Sequence, residues 1–234
     1  LGRFPTEDKR RILEMVREGV LTPEEALELL SVLEERESAG GERPPVEASQ
    51  VFAPQGFRVQ VQAFGASLEV VGVAGLEGLE AEGGGVVLEG GIPVYRVSLG
   101  EGRLRVPEGA EVMLLAKGSH VELAGVVLKG RALGANLEGD RLLGLDLALS
   151  GGNLEAGLFL RDGEHRLEVR AGNAEIRFLP GSDLEVEAQV RLGGLEVAGP
   201  WRQVATPGGR RWSLGEGKAK LRARVAMGNL ELEA

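Results

Sequence analysis

Gly152-Asn153-Leu154-Glu155-Ala156, Gly172-Asn173-Ala174-Glu175-Ile176 and Gly228-Asn229-Leu230-Glu231-Leu232 share one pattern: glycine, asparagine, apolar, glutamate, apolar. Looser copies stand at Ala66-Ser67-Leu68-Glu69-Val70, Ser119-His120-Val121-Glu122-Leu123, Ala135-Asn136-Leu137-Glu138-Gly139 and Gly193-Gly194-Leu195-Glu196-Val197. The residue before the first apolar position marks each copy at 67, 120, 136, 153, 173, 194 and 229. With Gly85 and Arg103 filling the first gap and Arg211 the last, the steps run from 16 to 21 residues. A period near 18 with Gly or Asn at a fixed place predicts stacked β-coils. Each coil turns sharply, and Gly or Asn can take φ > 0 at the corner. The apolar residues flanking Glu then point inward and Glu points out. Equivalent residues on successive coils lie about 4.8 Å apart.

The surrounding chain keeps a period of two. Phe57-Arg58-Val59-Gln60-Val61 alternates apolar and polar, and Leu184 to Leu192 does so over nine residues. These are strands with one buried face. The rival arrangement is a meander or sandwich with Gly-Asn as hairpin turns. Asn-Gly is the favoured hairpin order, and here it is reversed each time. Aromatics make up only 4% while Gly contributes 37 residues, which suits tight corners with aliphatic filling.

The first 36 residues read differently. Thr6 can cap a helix whose stripe is Ile12, Leu13 and Val16, and Gly19 ends it. Thr22-Pro23-Glu24-Glu25 sets Thr at the N-cap, Pro at the first helical position and Glu at N3, a capping box. Ala26, Leu27, Leu29, Leu30 and Leu33 follow at helical spacing. The pair should fold as an antiparallel hairpin. Two helices this short are unstable alone. Their apolar residues, Ile12, Leu13, Val16, Leu27, Leu30 and Leu33, must meet another copy of the hairpin, the rest of the chain, or another protein. Residues 37–56 carry Gly-Gly, Pro-Pro and little periodicity, which marks a linker. The predicted organisation is a mainly β chain with a helical hairpin at 1–37 for oligomerisation, a linker at 38–56 and a β-solenoid-like domain at 57–234.

The Gly-Asn-Leu-Glu-Leu coils resemble the toast-rack (adhesin-type) domain of bacterial cell-envelope proteins. The stretch from Ile12 to Leu30, ILEMVREGVLTPEEALELL, is similar to the short bihelical module that precedes toast-rack domains and is thought to mediate oligomerisation. The resemblance implies a β-solenoid-like fold. It also implies a non-enzymatic role, as an oligomeric scaffold or assembly platform near the membrane in envelope stress. That family supplies no catalytic residues to carry over, and this chain lacks the membrane segment of many relatives.

Composition excludes much. With no Cys there is no disulfide framework, thiolate zinc site or thiol nucleophile. A net charge of −9 argues against binding duplex nucleic acid. No apolar run approaches the roughly 20 residues of a membrane helix, and the N-terminus lacks the apolar core of a secretory signal. The expected location is the cytoplasm, with a peripheral position at the inner membrane as a variant. Arg outnumbers Lys 22 to 5, a bias compatible with a thermophile.

No catalytic, cofactor or metal site is assigned, and the protein is not read as an enzyme. His120 and His165 are far apart and read as surface or structural residues. Gly215-Glu216-Gly217-Lys218 lacks the first Gly and final Ser/Thr of a phosphate loop. Glu122, Glu138, Glu155, Glu175 and Glu196 should share a solvated face, with Arg161, Arg170, Arg177 and Arg191 available to offset their repulsion. Trp201 and Trp212 read as a cap on the stack. Their sharper reading is a ligand face, and with it the alternative function of a glycan- or peptide-binding adhesin-like module. Glu231 and Glu233 read as guards of an exposed terminal edge. The expected partners are copies of the same chain and an envelope-associated protein.

Overall fold

The computed structural model describes residues 16–17, 26–27, 56–206 and 209–234. Residues 16–17 and 26–27 are α-helical, with Val16 half-buried, Ala26 buried and Leu27 68% exposed. The rest of the expected hairpin and linker residues 38–55 lie outside the described residues, as do Ile12, Leu13, Leu30 and Leu33.

From residue 57 onward the described chain is mainly β, with eighteen strands. A coil consists of two strand segments joined by a corner. The first comprises β1 (Arg58–Phe64) and β2 (Ser67–Val73). Next come β3 (Glu80–Glu82) and β4 (Gly85–Glu89), then the coil β5 (Ile92–Ser98) with β6 (Glu101–Pro107). Three more coils follow: β7 (Glu111–Lys117) with β8 (His120–Ala124), the long strand β9 (Val127–Leu142), and the long strand β10 (Gly144–Leu158). Then come β11 (Glu164–Ala171) with β12 (Asn173–Phe178), and β13 (Leu184–Leu192) with β14 (Leu195–Ala198). The last elements are β15 (Arg202–Thr206), β16 (Gly209–Leu214), and the coil β17 (Ala219–Met227) with β18 (Leu230–Glu233).

Neighbouring coils pair in parallel and in register along two ladders. One runs β5, β1, β7, first half of β9, first half of β10, β11, β17, β13. The other runs β6, β2, β8, second half of β9, second half of β10, β12, β18, β14. Parallel strands need a crossover between them, and each coil's other half serves as that crossover. The arrangement fits a β-solenoid.

The seven clear sequence markers stand in one column: Ser67, His120, Asn136, Asn153, Asn173, Asn229 and Gly194. The three fillers do not. Gly85 and Arg211 sit in β4 and β16, which pair antiparallel to β5 and β13. Arg103 lies opposite Glu69, and the true marker of its coil is Glu101, opposite Ser67. Ser67 to Glu101 and Gly194 to Asn229 are therefore intervals of 34 and 35 residues, each about twice the repeat.

Those long intervals reorder the stack. The first coil in sequence, 58–73, lies between coils 92–107 and 111–124. The last, 219–233, lies between 164–178 and 184–198. Each long excursion also lays antiparallel strands over a stack end: β4 on β5 and β3 on β6 at one, β16 on β13 and β15 on β16 at the other. An uncovered coil would expose a full row of unpaired backbone groups. The terminal strand β18 is paired on both sides. Glu231 and Glu233 are therefore not guards of an edge; among the described residues β14 carries the free edge on that ladder.

The core is a set of aliphatic columns between the ladders. Val61, Leu114, Leu147, Leu167 and Ala223 form part of one, and Leu68, Val121, Leu137, Leu154 and Leu230 part of another; all are at most 3% exposed. Tyr95, fully buried, enters near one end. Opposite Leu68 stands Gly102, where a Cβ would meet the Tyr95 hydroxyl, so the ring fills the space a leucine fills elsewhere.

The repeated glycine has a steric cause. Gly152, Gly172, Gly228 and Gly193 have φ of 101°, 139°, 129° and 140°. A Cβ on each would collide with a backbone carbonyl of the adjacent coil, that of Ala135, Gly152, Gly172 and Gly228 in turn. The asparagines do not take φ > 0 as the sequence suggested; among the described residues the non-glycine residues that do are Leu99 and Arg141. Asn instead builds a ladder of side-chain amides. Asn153 Nδ2 donates to Asn136 Oδ1 and Asn173 Nδ2 to Asn153 Oδ1, each at 3.2 Å. Asn229 donates to Asn173 Oδ1 through its backbone N–H at 3.1 Å and its Nδ2 at 3.2 Å. Gly194 N–H closes the row on Asn229 Oδ1 at 2.9 Å.

Candidate functional site: an acidic column beside a histidine

Two residues beyond the marker, the same register aligns Glu69, Glu122, Glu138, Glu155, Glu175, Glu231 and Glu196 in that spatial order. Strand alternation turns them away from the core on every coil. Seven carboxylates at about 4.8 Å spacing extend over about 29 Å. The sequence anticipated five of them; register adds Glu69 and Glu231.

Stacked like charges repel, and the column is neutralised unevenly. Arg103 Nε holds Glu69 at 2.5 Å and closes one end of the row. Arg177 reaches Glu175 at 4.0 Å and Glu233 at 3.3 Å. Of the four arginines expected to compensate, Arg177 alone does so among the described residues. Glu122 and Glu138 have a different companion: His120 Nε2 lies 3.3 Å from Glu122 Oε1 and 3.8 Å from Glu138 Oε1. The two carboxylates and the imidazole place one ligand atom each within 4.8 Å of one another. Glu69, Glu122, Glu138, Asp140 and Glu155 line an open depression on this face. The signal was present in the sequence as His120 two residues before Glu122, with Glu138 one coil later. It required knowing that the coil here is 16 residues.

The other singled-out residues serve the fold. His165 Nδ1 accepts the Leu145 N–H at 3.3 Å, and Nε2 lies 2.8 Å from the Asp162 carbonyl. Hence Nε2 carries the proton, and the ring closes a gap between coils. The Gly215–Lys218 turn is no anion cradle. Asp183 accepts the Gly217 and Lys218 N–H groups at 2.6 and 3.1 Å, and these amides hold its carboxyl below the usual carboxylate range, the Lys218 N–H contributing most. Trp212 is buried, 7% exposed, while Trp201 meets Phe178 edge-on at 5.3 Å and donates to the Ala198 carbonyl at 2.9 Å. Trp212 belongs to the core cluster and Trp201 packs, partly buried, against it. No helix among the described residues is long and apolar enough to cross a membrane.

Comparison with known proteins gives two similarities. Residues 7–38 match the family model of a SHOCT-like domain. The fold is similar to a crystal structure described as a "putative cell adhesion protein" from Clostridium sporogenes, with 11% identity, a TM-score of 0.48, and coverage of 79% of this chain and 96% of that one. No curated protein matches the sequence.

Proposed function

We propose that this is a non-enzymatic structural and interaction protein. Residues 1–37 gather copies into an oligomer, and the stack 57–234 presents its acidic face to an envelope-associated partner, in the cytoplasm at the periphery of the inner membrane. The observation that carries the reading is the in-register glutamate column: a repeating acidic surface made by residues of the coil pattern itself. Such a surface suits display to an extended, basic partner face. The SHOCT-like match at 7–38 and the 68% exposure of Leu27 on a helical segment support the oligomerising role.

Among the described residues the core cluster runs from Phe57 to Leu232. Light scattering on the full chain, on 57–234 and on a full-length Leu27→Glu, Leu30→Glu variant tests the reading. A discrete oligomer for the full chain and a smaller species for the other two is expected. Equal subunit counts for all three would refute it.

A further inference from the structure

We propose that His120, Glu122 and Glu138 form a binding site for one divalent transition metal of the zinc type. Three observations converge. The first is donor chemistry: one imidazole nitrogen and two carboxylates suit Zn²⁺, and imidazole is a poor donor for Mg²⁺ or Ca²⁺, which prefer all-oxygen sets. The second is geometry. A tetrahedral ion with bonds of about 2.0–2.1 Å has ligand–ligand edges of about 3.3–3.4 Å. Nε2 of His120 already lies 3.3 Å from Glu122 Oε1 and 3.8 Å from Glu138 Oε1, and all three ligand atoms lie within 4.8 Å of one another, so modest side-chain shifts complete the triangle.

The third is charge. Glu69 is held by Arg103 and Glu175 by Arg177, whereas Glu122 and Glu138 stand opposite each other in register with neither Arg nor Lys in contact among the described residues. The position of His120 is equally particular. In the next four coils of the stack its column holds Asn136, Asn153, Asn173 and Asn229, whose amides bond to one another. The imidazole takes the place of that amide beside Glu122 and Glu138, two of the column's carboxylates that contact no arginine among the described residues. Strand geometry supplies rigidity: His120 and Glu122 are two apart on β8, and Glu138 is locked beside Glu122 by the β8–β9 ladder. Three protein ligands leave the fourth position open to water or to a partner's donor, which makes the site a point of attachment rather than a closed structural centre.

The test uses the full, untagged chain, stripped with chelator and titrated with Zn²⁺ by calorimetry, with Mg²⁺ and Ca²⁺ as separate arms. Saturation at one Zn²⁺ per chain is expected, with Mg²⁺ and Ca²⁺ much weaker. Co²⁺ substitution should give the intense visible absorption of a tetrahedral site. His120→Ala and Glu138→Gln should each weaken Zn²⁺ at least about tenfold. Glu175→Gln, three coils further along the same column, should leave binding unchanged. All three positions are surface-facing, and unfolding curves without metal verify that the variants fold. Absence of saturable Zn²⁺ uptake, binding indifferent to His120→Ala, or equal weakening by Glu175→Gln would each overturn the site, the last by showing diffuse attraction to the acidic face.

Discussion

Replacing Gly172 by alanine should damage the stack far more than an equal change at Gly90, and the difference measures how closely the coils approach. Both glycines have positive φ, 139° at Gly172 and 58° at Gly90. Gly90 and Gly91 form the two-residue turn between β4 and β5, and a Cβ at Gly90 meets nothing within 4 Å. Alanine there carries the left-handed backbone strain alone, about 1–2 kcal/mol. At Gly172 the φ is one that L-residues rarely adopt, costing about 1–3 kcal/mol. In addition the new methyl collides with the Gly152 carbonyl. That obstacle is backbone, fixed by the ladder between β10 and β12, so no rotamer relieves it. Separating the two coils would lengthen ladder hydrogen bonds, adding about 1 kcal/mol or more. A total of at least about 3 kcal/mol is expected at Gly172. With a urea slope of about 2 kcal/mol/M, the midpoint should fall by about 1.5 M, against less than about 1 M at Gly90. Urea unfolding followed by circular dichroism reads both. Equal midpoint shifts would refute the close-approach argument and leave corner conformation as the only reason for the repeated glycine.

Other expectations follow from buried and bonded groups. Burial pushes the Tyr95 hydroxyl up to about 12, and it donates to the Glu82 carbonyl at 2.7 Å. A folded value above the unfolded one near 10 means the contribution is complete below pH 10 and is lost between pH 10 and 12. Tyr95→Phe should cost about 1 kcal/mol at pH 7 and flatten the alkaline limb of the stability curve; an unchanged limb would count against this. Leu147→Ala, in the middle of a fully buried column, should cost about 2–5 kcal/mol by calorimetric melting. Asn173→Ala removes a donor to Asn153 and the acceptor of two Asn229 bonds, and should cost about 1–2 kcal/mol; no loss would mean the amide ladder is incidental. Asp183→Ala should destabilise the Gly215–Lys218 turn. Because its folded value is depressed, the wild-type advantage should be present above the ordinary carboxylate range and vanish as pH falls below it.

The repeat was legible because each of its letters answers a local demand. Gly172 lets one backbone touch the next, Asn173 bonds to its own kind on adjacent coils, Ala174 and Ile176 enter the core, and Glu175 faces water. These demands recur on several coils, so they leave a period in the chain. The coil order left none. Coils built from one pattern present nearly interchangeable edges, and nothing in Leu68 or Leu230 states which neighbour will be taken. The choice fell to the 34- and 35-residue excursions, long enough to wind an outer coil, cap it with antiparallel strands and return. For the same reason the sequence offered His120 only as a surface or structural residue. Three-dimensional register set Glu138 beside it, because a contact between coils depends on the exact number of residues in the turn between them, and that number varies from coil to coil.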